Sequence, residues 1–222
     1  MNASPRPELP ESAVTVTSVT KHYGVTQALA GVDIAFRRGA ITAVVGANGS
    51  GKTTLLKVIA GLLRPTSGRV QEPDGRELHG LTSAQESGVV LVPQEPTLAG
   101  HLSAWQNVSL GRPEAARGPF VNDRAARDLA ARRISGLLPP DVLERTTSSL
   151  SKSSRQLVQL AAAMAKEPLV LMLDEPTALM TDPVVVQAAL AAHAHKDDRP
   201  PAPALGPDRV EFLAVMAAAA GA

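Results

Sequence analysis

Eight consecutive residues, Gly46-Ala47-Asn48-Gly49-Ser50-Gly51-Lys52-Thr53, constrain this chain more than any other feature. They fit the pattern G-x-x-x-x-G-K-[ST]. Before them, the apolar run Ile41–Val45 suits a strand covered on both faces; after them, Lys52–Leu62 carries Leu55, Leu56, Ile59 and Leu62 at helical spacing. A strand that turns through glycines into a helix aims successive backbone N–H groups and a positive helix end at one point. That geometry cradles a polyphosphate, with Lys52 supplying a point charge for its outer phosphates and Thr53 a hydroxyl for Mg2+. The chain has 222 residues, 44% of them hydrophobic and 19% charged, which is enough to bury a core around such a loop.

A second element follows in Leu169-Val170-Leu171-Met172-Leu173-Asp174-Glu175. Two adjacent carboxylates at the end of a buried apolar strand are costly unless an ion or substrate needs them. With a phosphate loop upstream, Asp174 is placed to hold Mg2+ and Glu175 to polarise an attacking water.

The remaining pattern gives the frame. Ala13–Thr20 alternates Val14, Val16 and Val19 with polar residues, and Val32–Phe36 and Gly88–Val92 read as further strands. Arg64-Pro65-Thr66-Ser67-Gly68 stops the helix that follows the glycine loop. From about 98 to 149 the pattern is helical, clearest in Val121–Leu138, where Asn122 is a cap and Leu129, Ile134 and Leu137 share a face; Gln156–Lys166 is another helix. This order is the plan of a parallel α/β sheet with an α-helical insert. Residues 1–12, with Pro5, Pro7 and Pro10, read as a loose polar leader without the apolar stretch of a signal peptide. No apolar run reaches the 18 or so residues of a membrane span. A net charge of +1 gives no electrostatic footprint for nucleic acid. The absence of cysteine excludes a disulfide scaffold, a thiolate zinc site and a cysteine nucleophile, and fits a reducing compartment.

In order along the chain, these motifs resemble the nucleotide-binding subunit of an ATP-binding cassette (ABC) transporter from about Val14 to Asp182. The resemblance implies a P-loop NTPase of mostly parallel sheet flanked by helices. It also implies an N-terminal antiparallel β-subdomain and an inserted helical subdomain at about 98–150, all within an ATP-binding domain at 13–194. It places Tyr23, 29 residues before Lys52, where an aromatic stacks on adenine. Gly46, Asn48, Gly49, Ser50, Gly51, Lys52, Thr53 and Thr54 then surround the phosphates of ATP. Gln94, in Val92-Pro93-Gln94-Glu95, matches the loop whose glutamine touches Mg2+ or the attacking water and links to the helical subdomain. Lys52, Gln94 and Glu175 become the catalytic set, and Thr53, Gln94 and Asp174 the metal set. Leu150-Ser151-Lys152-Ser153-Ser154-Arg155-Gln156 falls where the family has its Leu-Ser-Gly-Gly-Gln signature, with Ser151 23 residues before Asp174. In the family that serine closes over ATP held by another subunit. The implied partners are a second ABC subunit, identical or different, transmembrane permease subunits and, for an importer, a solute-binding protein. The implied location is the cytoplasmic face of the membrane.

Details lean toward carbohydrate importers. The signature glycines are replaced by Lys152 and Ser153, Pro176-Thr177-Ala178-Leu179-Met180-Thr181 ends in threonine, and the stretches Gln94–Leu98 and Leu102–Val108 follow the same habit. The expected function is ATP hydrolysis driving import of sugars or similar small solutes. The alternative is a cassette that binds ATP with little or no turnover, because the family's apolar strand ending in Ser-His has no counterpart after Glu175. His193 and His195 follow an Ala-rich segment, arrive early and read as surface residues. Residues 195–222 form an atypical tail: a proline-rich stretch, the apolar burst Val210–Met216, then an Ala/Gly run. In the family the missing strand lies between the glycine-loop strand and the Asp174 strand. That place is filled by the burst, by a partner, or not at all.

Overall fold

The computed structural model describes residues 12–37, 41–111, 116–117, 120–134, 137–174 and 214–219. The first half of the chain runs β1 (Ser12–Tyr23), β2 (Thr26–Arg37), β3 (Ile41–Gly46), α1 (Lys52–Ile59), β4 (Ser67–Gln71), α2 (Gly80–Glu86) and β5 (Val89–Val92). Then come α3 (Ala104–Ser109), the short pair β6 (Ala116–Arg117) and β7 (Phe120–Val121), α4 (Asp123–Ile134), α5 (Lys152–Met164), β8 (Val170–Asp174) and β9 (Ala214–Ala219).

β1 is the middle of an antiparallel sheet in the order β2-β1-β4. Val14, Val16 and Val19 are all buried, although the step from 16 to 19 breaks strict alternation. A register shift between Val16 and Val19 absorbs the extra residue, with Ser18 at φ 47 and its amide donating to Asp33 Oδ1 at 2.7 Å. β4 packs so closely on this bulge that a Cβ on Gly68 would lie 2.3 Å from the Ser18 carbonyl oxygen. Gly68 thus belongs to a strand that the sequence pattern gave only as a helix stop.

The second sheet is parallel, in the order β3-β9-β8-β5. β8 alternates between two apolar layers. Val170 and Met172 join the cluster of Phe36, Leu56 and Ile59, while Leu171 and Leu173 join Val90, Val92 and Leu160. This is the two-faced burial expected of a continuous apolar strand. β9 lies between β3 and β8, pairing Gly46 with Ala219 and Asp174 with Ala217. The C-terminal region therefore fills the central place, but the strand starts at Ala214 and runs through the alanines beyond the expected apolar burst. A central strand is held by backbone bonds on both edges, so small residues suffice there.

α1 ends earlier than its pattern suggests. Gly61, at φ 70, donates to the Val58 carbonyl, and Leu62, which the periodicity placed on the buried face, is half exposed. In the helical subdomain Asn122 does cap α4, its Oδ1 accepting from the Ala125 amide at 3.3 Å. The fully buried stripe of α4, however, is Ala126, Ala130 and Ile134 rather than Leu129, Ile134 and Leu137. Small residues spaced four apart let α4 approach Trp105 and Val108 of α3 closely. α5 joins the two halves, with Val158 and Ala161 packing into this cluster and Leu160 and Ala163 onto β5 and β8. Among the described residues no helix is long and apolar enough to cross a membrane.

Candidate nucleotide-binding site

The glycine loop hangs from the end of β3 and feeds α1. Gly49 and Gly51 have φ 82 and 92, values that disfavour any side chain. Gly51 is constrained twice, because a Cβ there would lie 2.4 Å from the Ala28 carbonyl oxygen of β2. At Gly46 an added Cβ would meet Ser50 Oγ at 2.7 Å. The loop closes through Ser50 N to the Ala47 carbonyl at 3.1 Å, leaving Asn48, Gly49 and Ser50 exposed at its tip.

α1 begins with no side-chain cap and no acid in its first turn. By contrast, Ser151 caps α5 through the Ser154 amide. The start of α1 thus has no side-chain cap, and no acid of its own first turn faces the partial positive charge there. Lys52 is buried beneath the loop, its ammonium donating to the carbonyls of Gly46 at 2.7 Å and Ala47 at 2.9 Å. Thr53, half-buried in the first turn, donates its hydroxyl to Asp174 Oδ1 at 2.9 Å. Asp174 is itself buried at the end of β8. Thr54, next along α1, is half-buried.

These features fit a magnesium–polyphosphate ligand. A hydroxyl and a carboxylate in contact are hard oxygen donors of the kind Mg2+ takes alongside substrate phosphates. A dedicated protein cage is not required, and among the described residues no group of three or more His, Cys, Asp or Glu gathers elsewhere.

Tyr23 ends β1, about half exposed, with the Lys21 ammonium 5.4 Å from its ring centroid. It pairs with Thr26 at the start of β2, two residues before the Ala28 carbonyl that abuts Gly51. Gln94 follows β5 and is exposed, its carbonyl accepting from Gln156 Nε2 at 3.2 Å. Ser151 stands near that segment, its hydroxyl donating to Ser154 Oγ at 3.0 Å. Glu175, the 176–181 segment, His193 and His195 lie outside the described residues. The structure therefore brings together Gly46–Thr53 and Asp174, and joins Gln94 to the start of α5, while Tyr23 lies at the turn of the β1–β2 hairpin whose Ala28 faces Gly51.

A parallel sheet whose strand turns through such a loop, with a distant strand's carboxylate on the loop threonine, defines a P-loop nucleotide-binding protein. The chain belongs to the ABC transporter family, which matches residues 29–178. It is 40% identical over 176 residues to a ribose import ATP-binding protein of Rubrobacter xylanophilus, covering 78% of this chain and 35% of that protein. It is 38% identical over 192 residues to a putative ribose/galactose/methyl galactoside import ATP-binding protein of Burkholderia ambifaria, covering 82% and 36%. The chain thus spans about a third of the length of these relatives. In fold it is similar to a dimeric post-hydrolysis ATP-binding cassette bound to ADP and Pi, with a TM-score of 0.73, 24% identity and coverage of 92% and 87%. A nucleotide-free ATP-binding cassette from an ABC transporter gives a TM-score of 0.72 at 19% identity, covering 93% of this chain and 81% of that one.

Several polar contacts join elements that are distant in the sequence. Lys152 reaches Glu95, and Gln159 Oε1 accepts from the Thr97 amide at 3.0 Å. With Gln156, these positions recur at helical spacing along α5, a polar stripe visible in the sequence. Asn107 is buried and accepts from the Ala99 amide at 2.8 Å while its Nδ2 donates to the Ala99 and Ser103 carbonyls at 3.1 and 3.0 Å. Only its position within an otherwise apolar helix face signalled that.

Proposed function

We propose that this chain is the ATP-binding and ATP-hydrolysing part of an ABC importer, acting on sugars or similar small solutes. The observation that carries the reading is the Thr53–Asp174 hydrogen bond of 2.9 Å at the uncapped start of α1, with Lys52 buried beneath the same loop. The sugar-import names of the curated relatives support the substrate class.

On this reading the amides of Gly46, Asn48, Gly49, Ser50, Gly51 and Thr54 enclose the phosphates and Tyr23 stacks on the adenine. Lys52 exchanges its two loop carbonyls for phosphate oxygens. Thr53, Asp174 and Gln94 would hold Mg2+, which when bound neutralises phosphate charge. Gln94 and Glu175 orient the attacking water, Glu175 as general base. Hydrolysis of this kind rests on positioning and charge stabilisation more than on covalent chemistry. Ser151 would complete the site of a second ABC subunit, and permease subunits, with a solute-binding protein, would transmit the work across the membrane. The chain would sit at the cytoplasmic face.

Steady-state hydrolysis by the wild type and by Glu175→Gln tests this. A rate at least a hundredfold lower in the variant, with MgATP affinity retained, supports it. Equal rates with retained affinity leave a module that binds ATP without turning it over.

A further inference from the structure

The first turn of α5 carries Lys152 and Arg155 and no acid, an arrangement disfavoured by the positive end of a helix. The missing acid comes from another element: Lys152 Nζ lies 2.6 Å from Glu95 Oε1. Four residues on, Gln156 donates to the Gln94 carbonyl at 3.2 Å, and Gln159 accepts from the Thr97 amide at 3.0 Å. Positions 152, 156 and 159 share one face of α5, so three contacts pin the segment 94–97 along that face. α5 also packs into both the helical cluster and the parallel sheet, so its orientation is fixed by both.

We propose that Lys152 is a positioning residue for the Gln94 segment, acting through Glu95, and that it ties the placement of Gln94 to the orientation of α5. A glycine at 152, as the family signature has, could make no such tie. Gln156 is buried, whereas Lys152 and Glu95 are largely exposed, so the ionic contact is the one that salt or a competing anion opens. The consequence for hydrolysis rests on the ATPase reading of Gln94; the tie itself does not.

Hydrogen–deuterium exchange on the full chain without nucleotide tests the tie, read on a peptide covering 93–99. Lys152→Met and Glu95→Gln each speed exchange there about two- to fivefold, the range of an exposed ion pair, while peptides from α1 and β8 are unchanged. The charge swap Lys152→Glu with Glu95→Lys returns exchange toward the wild-type rate. Unchanged exchange in both single variants, or a swap no slower than either, overturns the proposal. In parallel, the single variants lower kcat for ATP with KM held, and the swap restores it. If the exchange pattern appears while even the wild type fails to hydrolyse ATP, the tie stands and the ATPase reading falls.

Discussion

Thr53 Oγ1 donates to Asp174 Oδ1 at 2.9 Å, joining two residues 121 apart in the sequence. Asp174 ends β8, whereas Thr53 stands in the first turn of α1, which follows β3, and these two strands are not neighbours, because β9 lies between them. The contact is therefore set by the order of the whole sheet and not by a local turn. On the proposed reading this hydroxyl and carboxylate would hold a divalent cation together with bound phosphates.

Thr53→Val keeps the side-chain shape and removes the donor from a buried carboxylate. Without nucleotide the folded state should lose about 1–3 kcal/mol, read by urea denaturation. The enhancement of ATP affinity by Mg2+ should fall at least tenfold. Asp174→Asn should cost less stability, because the amide oxygen still accepts from Thr53 while the buried charge is removed, and should lose the same magnesium dependence. A variant of either kind with wild-type magnesium titration would contradict the pairing.

Gly51→Ala places a Cβ 2.4 Å from the Ala28 carbonyl oxygen at a φ of 92. The backbone penalty alone is about 1–2 kcal/mol, and the clash adds to it by forcing β2 away from the loop. Thermal denaturation should show the loss, and nucleotide affinity should drop with it. Gly49→Ala, where an added Cβ meets nothing within 4 Å, should show only the backbone part.

The glycine loop, the Asp174 strand and the helical insert were legible because each rests on local pattern. A phosphate cradle needs glycines at fixed spacing, and a strand buried on both faces needs an unbroken apolar run. In the sequence Gly68 is only punctuation, since its true constraint is the Ser18 carbonyl on another strand. β9 was only partly legible: its alanines carry little β signal, and what makes them a strand is two open backbone edges far back in the chain. The Lys152–Glu95 contact was hidden for the same reason, being a pairing between elements that no window along the sequence spans.

Ala217→Pro tests the role of β9. Ala217 pairs with Val44 on one side and Asp174 on the other, so a proline there removes a ladder hydrogen bond and crowds a central strand. The variant should unfold at lower denaturant than the wild type, and its magnesium-dependent nucleotide affinity should fall as Thr53 and Asp174 lose their spacing. Wild-type stability and affinity would show that β9 does not hold the two strands in place.

Asn107 offers a control away from the nucleotide. Asn107→Leu leaves the Ala99 amide and the Ala99 and Ser103 carbonyls without their side-chain partner, costing about 2–3 kcal/mol. Denaturation should report that loss, while the folded variant binds MgATP as the wild type does.

The most direct measurement is the affinity of the full chain for MgATP, by titration with a fluorescent adenine nucleotide, set beside Lys52→Ala. The account predicts saturable binding by the wild type, weakened at least a hundredfold in the variant by loss of the buried ammonium (about 2.7 kcal/mol or more). No saturable binding by the wild type, or equal affinity in the two proteins, would contradict it.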